Sequence, residues 1–262
     1  MNNLLLIDGH SIMNRAFYGI PMLTNHEGIH TNAIYGFINI MLKAMEDEKS
    51  DHIAVAFDLK APTFRHKMYE MYKGTRKPMP AELHEQVPVI KEILASMNIP
   101  VITLEGYEAD DILGTVGKKA QSLGYNVVIL SGDRDLLQLA DEHIKIRLPK
   151  TIKGRTEIEN YYPEDVMEKY MATPSEFIDL KALMGDSSDN IPGVPGIGEK
   201  TAMSIISKYH SIENAYEHVE ELTPAKAKNS LRENYDLAKL SKVLATIETD
   251  APVEFNIEDS AI

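Results

Sequence analysis

Short apolar runs along this chain repeatedly end in carboxylates: LLLID at Asp8, IAVAFD at Asp58, and VVILSGDRD at Asp133 and Asp135. YEADDI adds Glu108, Asp110 and Asp111, and GDSSDNIP adds Asp186 and Asp189. A strand ending in Asp carries that carboxylate to one edge of a sheet, where open α/β sheets keep their sites. Crowded like charges repel and raise one another's pKa, so such a cluster calls for a cation. Carboxylate oxygens without Cys or paired His suit hard divalent ions, chiefly Mg²⁺ or Mn²⁺. The chemistry indicated is metal-assisted hydrolysis of phosphate esters.

Each acid also has an ordinary local reading. Asp8 and Asp58 could simply end strands and cap the next helix. Glu108, Asp110 and Asp111 could serve a helix dipole, although three acids within four positions exceed what a cap needs. Asp133 and Asp135 share one side of an extended segment, and Asp186 and Asp189 fall on one helical turn. An EF-hand reading of this DRD fails, because Leu137 stands where a third oxygen is required. The signal is the joint one, acids at the ends of successive strands.

The stretch IPGVPGIGEKTA (191–202) nearly matches a phosphate loop, but Glu199 separates Gly198 from Lys200 and no strand precedes it. A helix, a tight Gly/Pro turn and a second helix starting near Gly198 describe a helix-hairpin-helix. Backbone N–H groups of Gly196 and Gly198 could there hold a DNA phosphate without reading sequence. Lys60, Arg65, Lys67, Lys73, Arg76 and Lys77 form one basic stretch. Lys145, Arg147, Lys150, Lys153 and Arg155 form another, better read as a solvated face. Phosphate binding depends on local potential, so a net charge of -13 does not exclude a nucleic acid.

Positioning these groups requires an alternation of elements. Periodicity predicts strands at Asn3–Asp8, His52–Asp58, Pro100–Leu104 and Asn126–Leu130. It predicts helices at Thr31–Glu46, Glu82–Met97 and Asp110–Leu123, the last closed by Gly124. The fold class is therefore α/β with a parallel, doubly wound sheet. Pro149–Asn160 reads as a loop or edge excursion. Helices are predicted at Pro163–Tyr170, Pro174–Met184, Glu199–Tyr209, Ile212–Val219, Pro224–Glu233 and Asp236–Thr246, several opened by Pro. This gives an α/β core over 1–160, a helical subdomain over 161–250 with the hairpin at 185–210, and a linker-like tail over 251–262.

With 262 residues, 44% of them hydrophobic, the chain can bury a real core. It has no Cys, hence no disulfide, thiolate nucleophile or zinc-thiolate site. No apolar run reaches the roughly 20 residues of a membrane helix, and Met1 leads straight into a strand. The expectation is a soluble cytoplasmic protein.

In that order, DGHSIMNRAFY, AFDLKAPTFRHKMYEMYKGTRKPMP, EGYEADDILGT, LSGDRDLLQL and MGDSSDNIPGVPGIGEKTA resemble the 5′-nuclease domains of bacterial DNA polymerase I, within the flap endonuclease superfamily. The resemblance spans Asn3 to about Asp250. It implies a PIN-like core with a helical arch near 60–82, and a structure-specific nuclease removing 5′ flaps and RNA primers in replication and repair. It implies two Mg²⁺ or Mn²⁺ ions. The first site maps onto Asp8, Asp58, Glu108 and Asp110 with Asp111 close by, and the second onto Asp133, Asp135 and Asp186 with Asp189 supporting. Tyr72, Lys73 and Arg76 correspond to the arch, with Lys73 and Arg76 as transition-state cations and Tyr72 stacking on an unpaired base. Gly193, Gly196, Gly198, Lys200 and Thr201 correspond to a DNA-binding hairpin associated with K⁺. Partners would be branched, 5′-flapped or RNA-primed DNA, with a monomer expected, fused to a polymerase in the full-length protein. A haloacid-dehalogenase phosphatase would need an Asp where His10 stands. A PIN-type ribonuclease would lack arch and hairpin, and a non-catalytic DNA clamp would have no reason to keep every acid.

Overall fold

Four consecutive apolar residues, Leu4–Ile7, can all be buried only in a strand covered on both faces, and that is where they lie. The computed structural model describes residues 2–152 and 155–262. Strand β1 (Asn3–Asp8) leads directly into α1 (Gly9–Gly19). Then come α2 (Asn32–Glu48), β2 (His52–Ala56), α3 (Phe64–Met68), α4 (Ala81–His84), α5 (Gln86–Ser96) and β3 (Val101–Ile102). Helix α6 (Ala109–Ser122), β4 (Asn126–Leu130), β5 (Ile144–Ile152) and β6 (Arg155–Tyr161) complete the α/β half. The sheet order is β3-β2-β1-β4-β5-β6, parallel except for the last pair.

The chain builds outward from β1 through β2 and β3, then returns to the other side of β1 with β4. That reversal makes the carboxyl ends of β1 and β4 a topological switch point, where open sheets leave a crevice. On one face Leu4 and Leu6 pack with Ile112, Leu113 and Val116 of α6. On the other, Leu5 and Ile7 pack with Ile12, Met13, Phe37 and Met41 of α1 and α2. The helical half comprises α7 (Pro163–Tyr170), α8 (Glu176–Met184), α9 (Glu199–Tyr209), α10 (Ile212–Glu217), α11 (Ala225–Glu233) and α12 (Tyr235–Ala245). Its Phe177, Leu183, Ile206 and Leu231 join the core built on α6.

Several expected elements differ. The helix expected over 82–97 breaks at Glu85, which turns to His30. Next to it Gln86 accepts from the N–H groups of Ala33 (2.9 Å) and Ile34 (3.2 Å), capping α2 from afar where Thr31 supplies no side-chain cap. The strand expected over 100–104 shrinks to two residues paired with Val55 and Ala56. Of Pro149–Asn160, residues 149–152 and 155–160 belong to the antiparallel edge pair β5–β6, with Pro149 lying past the last residue that pairs with β4. The start of the second basic run is not a solvated face, since Arg147 is buried against Asp47 and Glu48 and Lys145 pairs with Glu48, while Lys150 stays partly exposed beside Glu159. Lys153 and the side chain of Arg155 lie outside the described residues.

The tail is packed rather than linker-like. Ala251, Ile257 and Ser260 are buried, Tyr125 donates to Glu258 (2.8 Å), and the Ile262 N–H reaches the Asp51 carbonyl (3.0 Å). Backbone and side-chain stitches of this kind have no sequence period, which is why the segment reads as aperiodic. Among the described residues no helix is long and apolar enough to cross a membrane.

Candidate active site

At the switch point the end of β1 delivers Asp8, whose two oxygens accept from the Ser11 N–H (3.0 Å) and the Ser131 hydroxyl (2.7 Å). The capping and functional readings of Asp8 therefore coexist. Burial, reinforced by nearby Asp58 and Asp133, pushes its carboxyl up to about 6. Asp58 follows β2, accepts from the Ala109 N–H (2.8 Å) and faces His10 Nδ1 (3.3 Å). Burial alone would raise it, but the His10 and Ala109 hydrogen bonds and the charge on Lys73 hold it at about 2. Asp110, in the first turn of α6, is raised well above the usual range by burial and by Asp133 and Asp8. Asp133 accepts from the Asp135 N–H (2.9 Å) and so fixes the turn after β4.

The other acids already have cationic partners. Glu108, the N-cap of α6, accepts from Lys73 (2.8 Å), Tyr72 (3.0 Å) and Arg65 (3.3 Å). Asp111 is 0% exposed, forked by both Arg65 terminal nitrogens at 2.8 Å. It also receives the Glu108 and Glu248 N–H groups, so it is turned away from the acid row as a structural anion. Asp135 lies 2.8 Å from Lys181, yet burial and Asp133 still push it up to about 7. Asp186 pairs with Lys181 and accepts from Ser188, which brings it to about 2 against the effect of burial. Asp189 pairs with Arg76, receives the Tyr72 hydroxyl (3.2 Å) and lies 3.7 Å from Lys73.

The structure thus draws Asp8, Asp58, Asp110 and Asp133 into one mutually repelling group, with Asp135 and Asp186 beside it. These donors are all oxygens and suit a hard cation. Among the described residues no three acidic or imidazole side chains close on one point as a finished metal cage. Mg²⁺ typically needs only one or two carboxylates, with waters and substrate phosphate filling its octahedron. A consequence is testable without substrate. Folded Asp8 and Asp135 hold protons that the unfolded chain has already released, so stability from them is present below about pH 4 and lost as pH rises to 6–7. The metal-free chain should lose on the order of 4 kcal/mol between pH 5 and 8. Saturating Mg²⁺ should raise Tm more at pH 8 than at pH 5, because protons and metal compete for the same oxygens. Melting curves at the two pH values check this, and equal Mg²⁺ stabilisation at both would count against a metal at these carboxylates.

Tyr72 is 3% exposed, its ring against Ile191, Leu244 and Ala245, so it has no free face for stacking on a base. The segment carrying it lies down on the hairpin loop, with the Lys73 N–H on the Asp189 carbonyl (2.8 Å) and Asn190 donating to the Met71 carbonyl (2.7 Å). Gly193 is likewise structural. A Cβ there would sit 2.4 Å from the Gly185 nitrogen, and its N–H donates to Ser241 (2.9 Å). Gly196 and Gly198 are exposed, with Lys200 and Thr201 in the first turn of α9 behind them. Sequence reasoning passed over Lys181, Ser131 and Lys226, whose stem lies 3.1 Å from where a Gly196 Cβ would be. A lysine inside the apolar run of α8, five residues before Asp186, was the available signal for the first.

Comparison with known proteins adds the following. Residues 3–171 match a family model described as 5′-3′ exonuclease, N-terminal resolvase-like domain. Residues 172–262 match one described as 5′-3′ exonuclease, C-terminal SAM fold. DNA polymerase I of Bacillus subtilis (strain 168) is 50% identical over 254 residues, covering 97% of this chain and 29% of that polymerase. The Bacillus caldotenax DNA polymerase I is 49% identical over 258 residues, 98% of this chain and 29% of the relative. The chain thus spans under a third of the polymerases it matches. Among solved structures, the T5 5′-exonuclease with bound zinc superposes with a TM-score of 0.76 at 24% identity, covering 95% of this chain and 90% of that one. The catalytic core of Rad2 with DNA substrate gives 0.57 at 16% identity, over 98% and 84%.

Proposed function

Because the chain belongs to the 5′-3′ exonuclease family, we propose that it is a structure-specific, divalent-metal-dependent nuclease cutting phosphodiesters at 5′ flaps and RNA-primed 5′ ends, in primer removal and repair. The observation that carries this is the group Asp8, Asp58, Asp110 and Asp133, gathered at a sheet switch point with no Lys or Arg ion-paired to it among the described residues. These four would hold one Mg²⁺ or Mn²⁺, and Asp133, Asp135 and Asp186 a second. Such ions, when bound, supply activation of a water and stabilisation of charge on the scissile phosphate.

The remaining work falls to side chains already in place. Ser131 and the Ser11 N–H lock the orientation of Asp8, and the Ala109 N–H and His10 lock that of Asp58. Lys73 and Arg76, parked on Glu108 and Asp189, would exchange those carboxylates for phosphate oxygens once DNA enters. Arg76 can fork two oxygens, and Lys73 acts as a movable point charge. Gly196, Gly198, Lys200 and Thr201 would hold the duplex backbone away from the cut, with K⁺ as the ion associated with that hairpin. Products would carry a 5′-phosphate and a 3′-hydroxyl. The setting would be a cytoplasmic monomer, or one domain of a longer polymerase.

Lys73→Ala and Arg76→Ala are each expected to slow single-turnover cleavage of a labelled 5′-flap duplex by roughly 10²-fold or more. Their DNA dissociation constants should rise only a few-fold. Equal losses in rate and binding would remove both from the chemical step. The wider proposal is checked by cleavage of that duplex across a Mg²⁺ and Mn²⁺ titration, and cutting that survives chelation would sink it.

A further inference from the structure

Helix α8 buries a lysine. Its neighbours Leu180, Ala182 and Leu183 are core residues, and the Lys181 side chain is only 7% exposed. Its ammonium reaches Asp135 at 2.8 Å and also pairs with Asp186, bridging two acids 51 positions apart. Asp8, Asp110 and Asp133 have no such bridge among the described residues. The two halves of the acid row therefore differ in charge. Around Asp133, Asp135 and Asp186 one ammonium is ion-paired in place, whereas the other group feels Lys73 only from a distance and has His10 beside Asp58.

We propose, on the divalent-ion reading above, that Lys181 is the internal cation of the Asp135–Asp186 pair and competes there with the second metal ion. It holds the two carboxylates together in the metal-free chain, where unpaired buried charge would be costly. A divalent ion entering must displace the ammonium or share its oxygens with it. The second ion is thereby made the weaker of the two, and it gains when substrate phosphate arrives to supply further ligands and accept the displaced ammonium. Lys181 is in this sense a positioning residue, acting through the carboxylates.

Mn²⁺ titrations of the 262-residue chain, of Lys181→Met and of Lys181→Arg, followed by calorimetry and by the electron paramagnetic resonance signal of free Mn²⁺, test this without turnover. In Lys181→Met the weaker binding event should tighten by roughly tenfold or more, because a competing charge is gone. The stronger event should stay within a few-fold of the parent. Arg keeps the charge and can fork both carboxylates, so in Lys181→Arg the weaker event should slacken several-fold. A weaker event in Lys181→Met no tighter than in the parent overturns the proposal. If Lys181→Met does not fold without metal, Lys181→Arg decides alone: weaker-site affinity equal to or above the parent's overturns the proposal. Failure of all three chains to take up Mn²⁺ would remove the divalent-ion reading itself, an outcome distinct from uptake that is insensitive to Lys181.

Discussion

Asp110→Asn is expected to lose roughly 10³-fold in single-turnover flap cleavage, about 4 kcal/mol of transition-state stabilisation, while melting higher than the parent chain without metal. The two effects share one cause. Asp110 is a carboxylate pushed upward by burial and by Asp133 and Asp8, and its side chain has no hydrogen-bond donor among the described residues. It costs the empty fold stability at neutral pH and is useful only when a cation neutralises the group. The amide keeps the shape and removes the charge. Repulsion on Asp8 and Asp133 falls, and so does the affinity for the ion. Paired measurements of Tm with and without Mg²⁺, beside cleavage rates, check this. A variant less stable than the parent without metal would mean that Asp110 holds the fold together, and the site would have to lie elsewhere.

Arg65→Met should be the most destabilising single change in residues 60–82, at about 3–5 kcal/mol. The guanidinium makes five hydrogen bonds: to the Leu244 and Thr246 carbonyls, two to Asp111 and one to Glu108. All of its N–H donors are thus used. It ties α3, the start of α6 and the end of α12 into one unit. Removing it leaves the buried Asp111 carboxyl with only the Glu108 and Glu248 N–H groups as partners. An ammonium at this position would not restore the fork, so Arg65→Lys should be nearly as damaging. Adding Asp111→Asn to Arg65→Met should recover part of the loss, because the uncompensated charge goes with it. Urea denaturation of the parent, the two single variants and the double variant reads the coupling directly. Strict additivity of the two single changes would show that the pair is not the reason Arg65 matters.

Much of the framework was legible in the residues. Leu4–Ile7 and Val127–Leu130 announce strands buried on both faces, and the acids that follow them lie at the switch point. The pattern also separated an α/β half from a helical half. It did not show that 82–97 breaks at Glu85, because the reason is Gln86 capping a helix about fifty residues earlier. It treated Gly193 as a DNA contact, where the true constraint is Gly185 packed against its back. It gave Tyr72 an exposed role that burial excludes.

Composition and local spacing determined which acids this protein carries and that strand ends present them, since helix and strand preferences act over a few residues. Only the tertiary structure decided which of those acids are paired with a cation and which are left without one. Asp111 is claimed by Arg65, 46 positions away, and Asp189 by Arg76, 113 positions away, while Asp8, Asp110 and Asp133 are left to repel one another. Coulomb attraction depends on separation in space and on burial, and neither is written in the order of the residues.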